Sequence, residues 1–71
     1  MSIMQRLYNS EINCTIATFW DGGFSWSLGD CMNGIKAEGT SDSFDDAERN
    51  LALAAVAYYP ESAFAKDYAA G

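Results

Sequence analysis

Apolar and polar residues alternate from Glu11 onward, and this pattern predicts a β-strand. Every second side chain of a strand points to the same face, and β-branched residues favour the strand. The residues of the predicted apolar face are Ile12, Cys14, Ile16, Thr18 and Trp20. The first eight residues, MSIMQRLY, fit either a short helical turn or an extended lead-in.

A second strand is predicted in FSWSLGDCM, residues 24–32, directly after the turn segment WDGGF. A three-residue loop over residues 21–23 would place Trp20 opposite Phe24 and keep the apolar residues of both strands on one face. The predicted pairs are Trp20 with Phe24, Thr18 with Trp26 and Ile16 with Leu28.

The dipeptide Asn33-Gly34 predicts a second hairpin, because Asn-Gly suits a two-residue turn. Asp30 is the polar exception among residues that otherwise share the apolar face. The predicted pairs are Met32 with Ile35, Asp30 with Ala37 and Leu28 with Gly39. The result is a three-stranded antiparallel meander, whose apolar face needs a cover.

Helical spacing in the C-terminal part predicts that cover. Ser43 is the expected N-cap of a helix, with Asp46 three residues on, and Pro60 ends it. The segment PESAFAKDYAAG, residues 60–71, predicts a second short helix with Gly71 beyond its end. Its buried side would carry Phe64 and Tyr68. The apolar stripe of the first helix is Phe44, Ala47, Leu51, Ala54, Ala55 and Tyr58.

Together these elements predict one α+β domain over residues 1–71, a three-stranded antiparallel sheet with one face covered by a C-terminal helical pair. We expect a core built around Trp20, Phe24, Trp26, Phe44 and Leu51. The first helix is apolar nearly all round. We expect the second helix to cover its remaining apolar residues, with a dimer or partner contact as the alternative. Those residues are Leu53, Val56 and Ala57.

The chain of 71 residues carries a net charge of −6, a pI near 4.1 and only four bases. Direct binding to nucleic acid needs clustered Lys and Arg, so this charge argues against it and against an acidic membrane surface. A basic protein partner would be attracted instead. No run reaches the roughly 18 apolar residues of a membrane span, and we expect a cytoplasmic location. Cys14 and Cys31 are expected there as free thiols.

Half of the ten acids fall in one short segment, EGTSDSFDDAE, residues 38–48. Acids at the start of a helix are stabilising, and this effect explains most of their local placement. It does not explain Glu38 or the lack of compensating bases. Carboxylates on a helix turn and a strand edge can also imitate a row of DNA phosphates. The candidate partner-binding residues are Glu38, Asp42, Asp45, Asp46 and Glu48, extended by Asp21 and Asp30.

The sequence offers little for catalysis. It contains no histidine, which argues against a zinc site or a Cys–His nucleophile pair. Asp21 and Asp30 are the acids near aromatic residues, and turn and strand-end positions explain them. We expect no enzyme activity, no cofactor and no metal.

A small, acidic, histidine-free α+β chain of this kind resembles the phage-encoded anti-CRISPR proteins. The resemblance covers the whole chain and rests on size, charge and architecture, because these inhibitors share no motif. It implies a monomer that binds a type I surveillance (Cascade) complex, with type I-C the favoured subtype, and blocks target DNA by mimicry. The alternative is a cytoplasmic structural or adaptor protein that dimerises or binds a partner through apolar helix surface.

Overall fold

A computed structural model describes residues 2–70 and has the predicted α+β fold class. The three strands form one antiparallel sheet in the order β1-β2-β3. The elements in chain order are α1 (Ile3–Asn9), β1 (Cys14–Phe19), β2 (Gly23–Asp30), β3 (Gly34–Ser41), α2 (Phe44–Tyr58) and α3 (Ala63–Ala70). Gly71, predicted to follow the last helix, lies outside the described residues. Within those residues no helix has the length and apolar character needed to cross a membrane.

The β1–β2 hairpin keeps the predicted faces but not the predicted register. Each residue of β1 lies opposite a partner two positions earlier in β2 than predicted. Because side chains alternate with a period of two, this shift leaves the apolar residues on the same face. The observed pairs include Thr18 with Phe24, Ile16 with Trp26 and Cys14 with Leu28.

The turn explains this shift. Its loop comprises residues 20–22, and the Gly22 N–H donates to the Phe19 carbonyl oxygen at 2.9 Å. Gly23 follows with φ of 89°, a conformation that glycine adopts without steric cost. A Cβ at Gly23 would lie 2.8 Å from the Ser41 carbonyl oxygen. Both the positive φ and this close contact therefore exclude a side chain at the position. Trp20 therefore falls in the loop.

The β2–β3 connection is also a three-residue loop, so the predicted two-residue turn is wrong. Asp30 pairs with Gly34, whose φ is 95°. The Asp30 carboxylate accepts from the backbone N–H groups of Met32 at 2.9 Å and Asn33 at 2.7 Å. These bonds favour the longer loop, because the Asp30 carboxylate satisfies both backbone N–H groups there. A two-residue turn would place the same N–H groups differently. A bulge after Leu28 then shifts the register of the remaining β2–β3 pairs. These pairs include Leu28 with Ala37 and Trp26 with Gly39.

Helix α2 lies across the apolar face of the sheet, mainly over β2. The Ser43 hydroxyl accepts from the Asp46 backbone N–H at 3.1 Å, which confirms the predicted N-cap. The helix ends at Tyr58, before Pro60, as predicted. Ala47, Leu51 and Ala55 of the predicted stripe are fully buried.

Helix α1 resolves the ambiguous N-terminal segment. The Ser2 hydroxyl accepts from the Gln5 backbone N–H at 3.1 Å and caps the helix, and Leu7 is fully buried. Helix α1 packs against α2 and β1. Because apolar residues at Ile3, Met4 and Leu7 share one helical face, the pattern could have predicted this helix.

Helix α3 begins at Ala63, later than predicted, where the Ser62 hydroxyl accepts from the Ala65 backbone N–H at 3.1 Å. It packs on α2. Phe64 is buried and stacks on Tyr68 with a ring-centroid distance of 5.4 Å, which confirms their predicted inward side.

The core differs from the aromatic core predicted from the sequence. Trp20 is 98% exposed and Phe44 is 43% exposed. Trp26 does pack against the core, opposite Gly39, where a Cβ would lie only 2.8 Å from its ring. Aliphatic residues fill most of the centre, and Phe64 of α3 is the aromatic residue buried among them. The buried cluster is Leu7, Ile12, Leu28, Leu51, Ala52, Ala55 and Phe64.

The outer side of α2 remains open. Tyr58, at the C-terminal end of the predicted inward stripe, is 55% exposed, so its predicted burial is wrong. On the outer side itself, Leu53 is 55% exposed and Ala57 is also exposed. The expectation that α3 covers this surface is therefore wrong for these residues, while Val56 is half-buried.

Two leucines of α2 provide a matched test of the packing. Replacing the fully buried Leu51 by Ala should lower the free energy of unfolding by about 2–5 kcal/mol, because it leaves a cavity. The same change at Leu53, which is 55% exposed, should alter it by less than about 0.5 kcal/mol. Urea denaturation of both variants measures the difference. Equal losses would contradict the orientation of α2.

The two cysteines are free and should react at different rates with a chromogenic disulfide reagent. Cys31 is exposed, whereas burial raises the pKa of the Cys14 thiol, which also lies 3.7 Å from the Met4 sulfur. Because the thiolate is the reactive form, we expect one fast and one slow thiol at pH 8. Cys31→Ser should remove the fast phase. Loss of the slow phase instead would contradict the packing of α1 on β1.

Candidate functional site: an acidic and aromatic end of the sheet

The β1–β2 loop and the start of α2 meet at one end of the sheet. Phe24 at the start of β2 pairs with Ser41 at the end of β3. Helix α2 begins only three residues later, at Phe44. The rings of Phe24 and Phe44 are in edge-to-face contact, with centroids 6.1 Å apart. Asp42, in the connection, therefore lies beside the loop that carries Asp21.

A shallow groove of about 480 Å³ opens at this end, and we call it the hairpin-end groove. Asp21 and Asp42 line it together with Phe19, which is 53% exposed, and Trp20, which is 98% exposed. Neither carboxylate forms an ion pair with any residue between 2 and 70. The remaining lining residues are Thr18, Gly22, Gly23 and Phe24.

A second hollow of about 350 Å³ adjoins it and shares Asp42. Asp46 and Arg49 line this hollow and form an ion pair at 3.2 Å. The Asn50 side-chain amide donates to the Ser41 hydroxyl at 2.8 Å and ties α2 to β3 along its wall. Asp21, Asp42 and Asp46 thus follow one another across two connected hollows, and Asp45 is exposed on the adjoining first turn of α2.

Helix capping explains part of this acidity. Asp45 and Asp46 lie in the first turn of α2, where each acid stabilises the helix by about 0.3–1 kcal/mol. Asp42 precedes the N-cap and Asp21 belongs to another element. The helix start does not account for those two carboxylates.

Three of the seven candidate acids do not join this surface. The Glu48 carboxylate accepts from the Met4 backbone N–H at 3.2 Å and stabilises the first turn of α1. Glu38 lies opposite Ser27 on the outer face of the sheet, since its neighbour Ala37 packs against the core. Asp30 ends β2 six residues after Phe24, about 20 Å away at the usual strand rise.

Asp30 instead organises the far turn. Besides the two backbone N–H groups of the β2–β3 loop, its carboxylate accepts from the side-chain amides of Asn13 at 2.5 Å and Asn33 at 3.2 Å. The hydrogen bonds from Asn33, followed by that from Asn13, lower the pKa of Asp30 below its usual 3.8. Through these hydrogen bonds the Asp30 carboxylate stabilises the fold of the turn.

The sequence pattern did not predict the aromatic half of the site. It assigned Trp20 to the core, whereas the turn glycines place it in the loop. The available signal was its position directly before Asp-Gly-Gly, where a shift of the loop by one residue exposes the tryptophan.

A larger groove of about 590 Å³ lies between α1 and α3 at another part of the surface. Its Arg6 is bound to Asp67 at 3.0 Å and lies over the rings of Phe64 and Tyr68. The cation of this groove is therefore a residue of the chain itself, Arg6, and it is already bound. Among residues 2–70, no cluster of three or more Cys, Asp and Glu side chains is arranged to hold a metal ion.

The Asp30 carboxylate should make the stability of the fold depend on pH. A carboxylate whose pKa is lowered in the folded state contributes stability above its unfolded pKa, near 3.8, and loses it as the pH falls through the folded pKa. Asp30→Asn should therefore melt at a lower temperature than the unchanged protein at neutral pH. The gap between the two melting temperatures should close below about pH 4. A gap that stays constant down to about pH 2 would contradict the role of the carboxylate charge.

No family model, curated protein or solved structure matches this chain. The interpretation of the acidic and aromatic surface therefore rests on its own residues and their geometry.

Proposed function

We propose that the protein inhibits by binding: its acidic sheet end occupies a basic, nucleic-acid-binding groove of a partner protein and excludes the nucleic acid. The observation that supports this function is the row of Asp21, Asp42 and Asp46 across two connected hollows, with Asp45 beside it. Arg49 is the one base among the residues that line these hollows. The row therefore keeps a net negative charge.

The other bases lie away from these hollows, so they do not neutralise the acidic row. Arg6 and Lys66 line the α1–α3 groove, and each has an acidic partner, Asp67 at 3.0 Å and Glu61 at 3.9 Å. Lys36 lies near the far turn, at the bulge of β3. With a net charge of −6, the chain would be oriented by the field of a basic groove before contact.

The carboxylates would take the place of phosphates on the partner's Lys and Arg side chains. Such contacts form between charges near the surface, so they weaken as salt screens them. Inhibition would follow from occupancy of the groove and requires no catalysis, cofactor or metal.

The partner class that we propose is a type I CRISPR surveillance (Cascade) complex, with type I-C as the first to test. The small acidic anti-CRISPR proteins of phages resemble this chain in size, charge and α+β architecture. In this function the protein acts as a monomer in the cytoplasm of the bacterial host. It contacts a Cascade subunit and neither nucleic acid nor membrane.

A second candidate function rests on the open side of α2. Leu53 is 55% exposed and Ala57, four residues on, is also exposed, which suits an adaptor that dimerises or binds a partner through apolar contacts. Such association would respond little to salt. Sedimentation of the purified protein at low and high salt distinguishes a salt-insensitive dimer from the monomer that the inhibitor function requires.

Charge reversal tests the preferred function. The triple variant Asp21→Lys, Asp42→Lys and Asp45→Lys should weaken inhibition of target DNA binding by a purified type I-C complex at least about tenfold. The reason is that it reverses the exposed, uncompensated part of the acidic row. Inhibition by the unchanged protein should also fall when salt rises from about 50 to 300 mM. Competition with labelled DNA measures both.

The matched control changes the net charge equally at distant exposed acids, with Glu11→Lys, Glu38→Lys and Glu61→Lys. It should inhibit more strongly than the first triple variant. Thermal melting of both variants checks that Asp45→Lys has not unfolded α2. Unchanged inhibition by the folded first variant would reject DNA mimicry by this surface.

A further inference from the structure

Packing within the fold does not explain the presence of Trp20. Its side chain is 98% exposed, and Phe19 beside it is 53% exposed, so neither aromatic group contributes much to the core. Exposed Trp side chains next to polar rims are typical of binding hot spots. Both rings line the hairpin-end groove together with Asp21 and Asp42.

The loop that carries Trp20 is held in place. The Gly22 N–H donates to the Phe19 carbonyl oxygen at 2.9 Å, and Gly23 fits closely against the Ser41 backbone. On the opposite wall, Phe24 is half-buried and in edge-to-face contact with Phe44. These supports fix the backbone of the groove, so the ordering that binding requires is confined to its exposed side chains.

Elsewhere in the same protein, aromatic rings and a carboxylate, the groups that line this groove, already bind an arginine. In the α1–α3 groove, the Arg6 guanidinium lies 5.1 Å from the Phe64 ring centroid and 5.7 Å from that of Tyr68. The Asp67 carboxylate binds the same guanidinium at 3.0 Å. Aromatic faces and a carboxylate thus hold one arginine.

The hairpin-end groove has the same parts without the cation. Aromatic rings and two carboxylates line it, and no Lys or Arg does. We infer that the hairpin-end groove is a receptor for an arginine side chain of the partner protein, which stacks on Trp20 and is bound by Asp21 and Asp42. This inference rests on the proposed function and names the partner group that the site takes.

Arginine fits better than lysine for two reasons. Its planar guanidinium stacks on an indole face and is more weakly hydrated than an ammonium group. Its five donors can also reach two carboxylates at once. Electrostatic attraction alone would not distinguish the two side chains, so a preference for arginine reports on the stacking and on the shared hydrogen bonds, and its decrease on removal of the indole reports on Trp20.

The test compares capped hexa-arginine and hexa-lysine peptides, which carry equal charge, by isothermal titration calorimetry on the full chain. The arginine peptide should bind about three- to thirtyfold more tightly. Trp20→Ala should lower this preference at least about threefold, by weakening the arginine peptide and leaving the lysine peptide nearly unchanged. Asp21→Asn with Asp42→Asn should weaken both peptides. Because Trp20 is exposed, its replacement should leave the melting temperature unchanged.

Tyr8→Ala is the matched control, since Tyr8 is an aromatic residue of α1 that is 76% exposed and lies outside the groove. It should preserve the preference. Equal affinities for the two peptides, or an arginine preference that Trp20→Ala leaves undiminished, would overturn the receptor. So would an equal loss with Tyr8→Ala. Those results would leave the proposed inhibition standing, because the charge-reversed variants test it separately.

Discussion

The close approach of Gly23 to the backbone of Ser41 joins three parts of this small protein at one point. Gly23 ends the β1–β2 loop, Ser41 ends β3, and α2 begins directly after it. With φ of 89° and only 2.8 Å between a hypothetical Cβ and the Ser41 carbonyl oxygen, only glycine fits. This contact brings the loop that carries Trp20 and Asp21 to Asp42.

The same end of the molecule combines stability with the proposed recognition. Asp45 and Asp46 stabilise α2 through their position in its first turn, and the Ser43 cap orients that turn. Because the helix needs acids there, a surface for basic partners forms at little cost to the fold. Asp21 and Asp42 add charge that the helix does not require. The burial of Leu51 one turn further along anchors the helix and thereby the acidic surface.

Charge and aromatic groups are distributed unevenly over the surface. At the α1–α3 groove the cation Arg6 belongs to the chain and is satisfied by Asp67 and two rings. At the hairpin-end groove the carboxylates and rings are present and the cation would come from a partner. In the proposed function this difference gives the protein a binding end, where steering by charge and anchoring by Trp20 act on the same partner surface.

The sequence by itself determined the faces of the strands, the cap at Ser43, the end of α2 before Pro60 and the inward side of Phe64, since these follow from local periodicity and local hydrogen bonds. The acidity of the site was also visible in its composition. Only the tertiary structure decided how the β1–β2 loop meets the end of β3, because the contact of Gly23 with Ser41 joins residues 18 positions apart. It also decided which acids meet. Glu48 turned toward α1, because helix packing joins residues that local patterns do not connect. The position of Asp30 at the sheet end opposite Asp21, by contrast, already followed from the predicted strand.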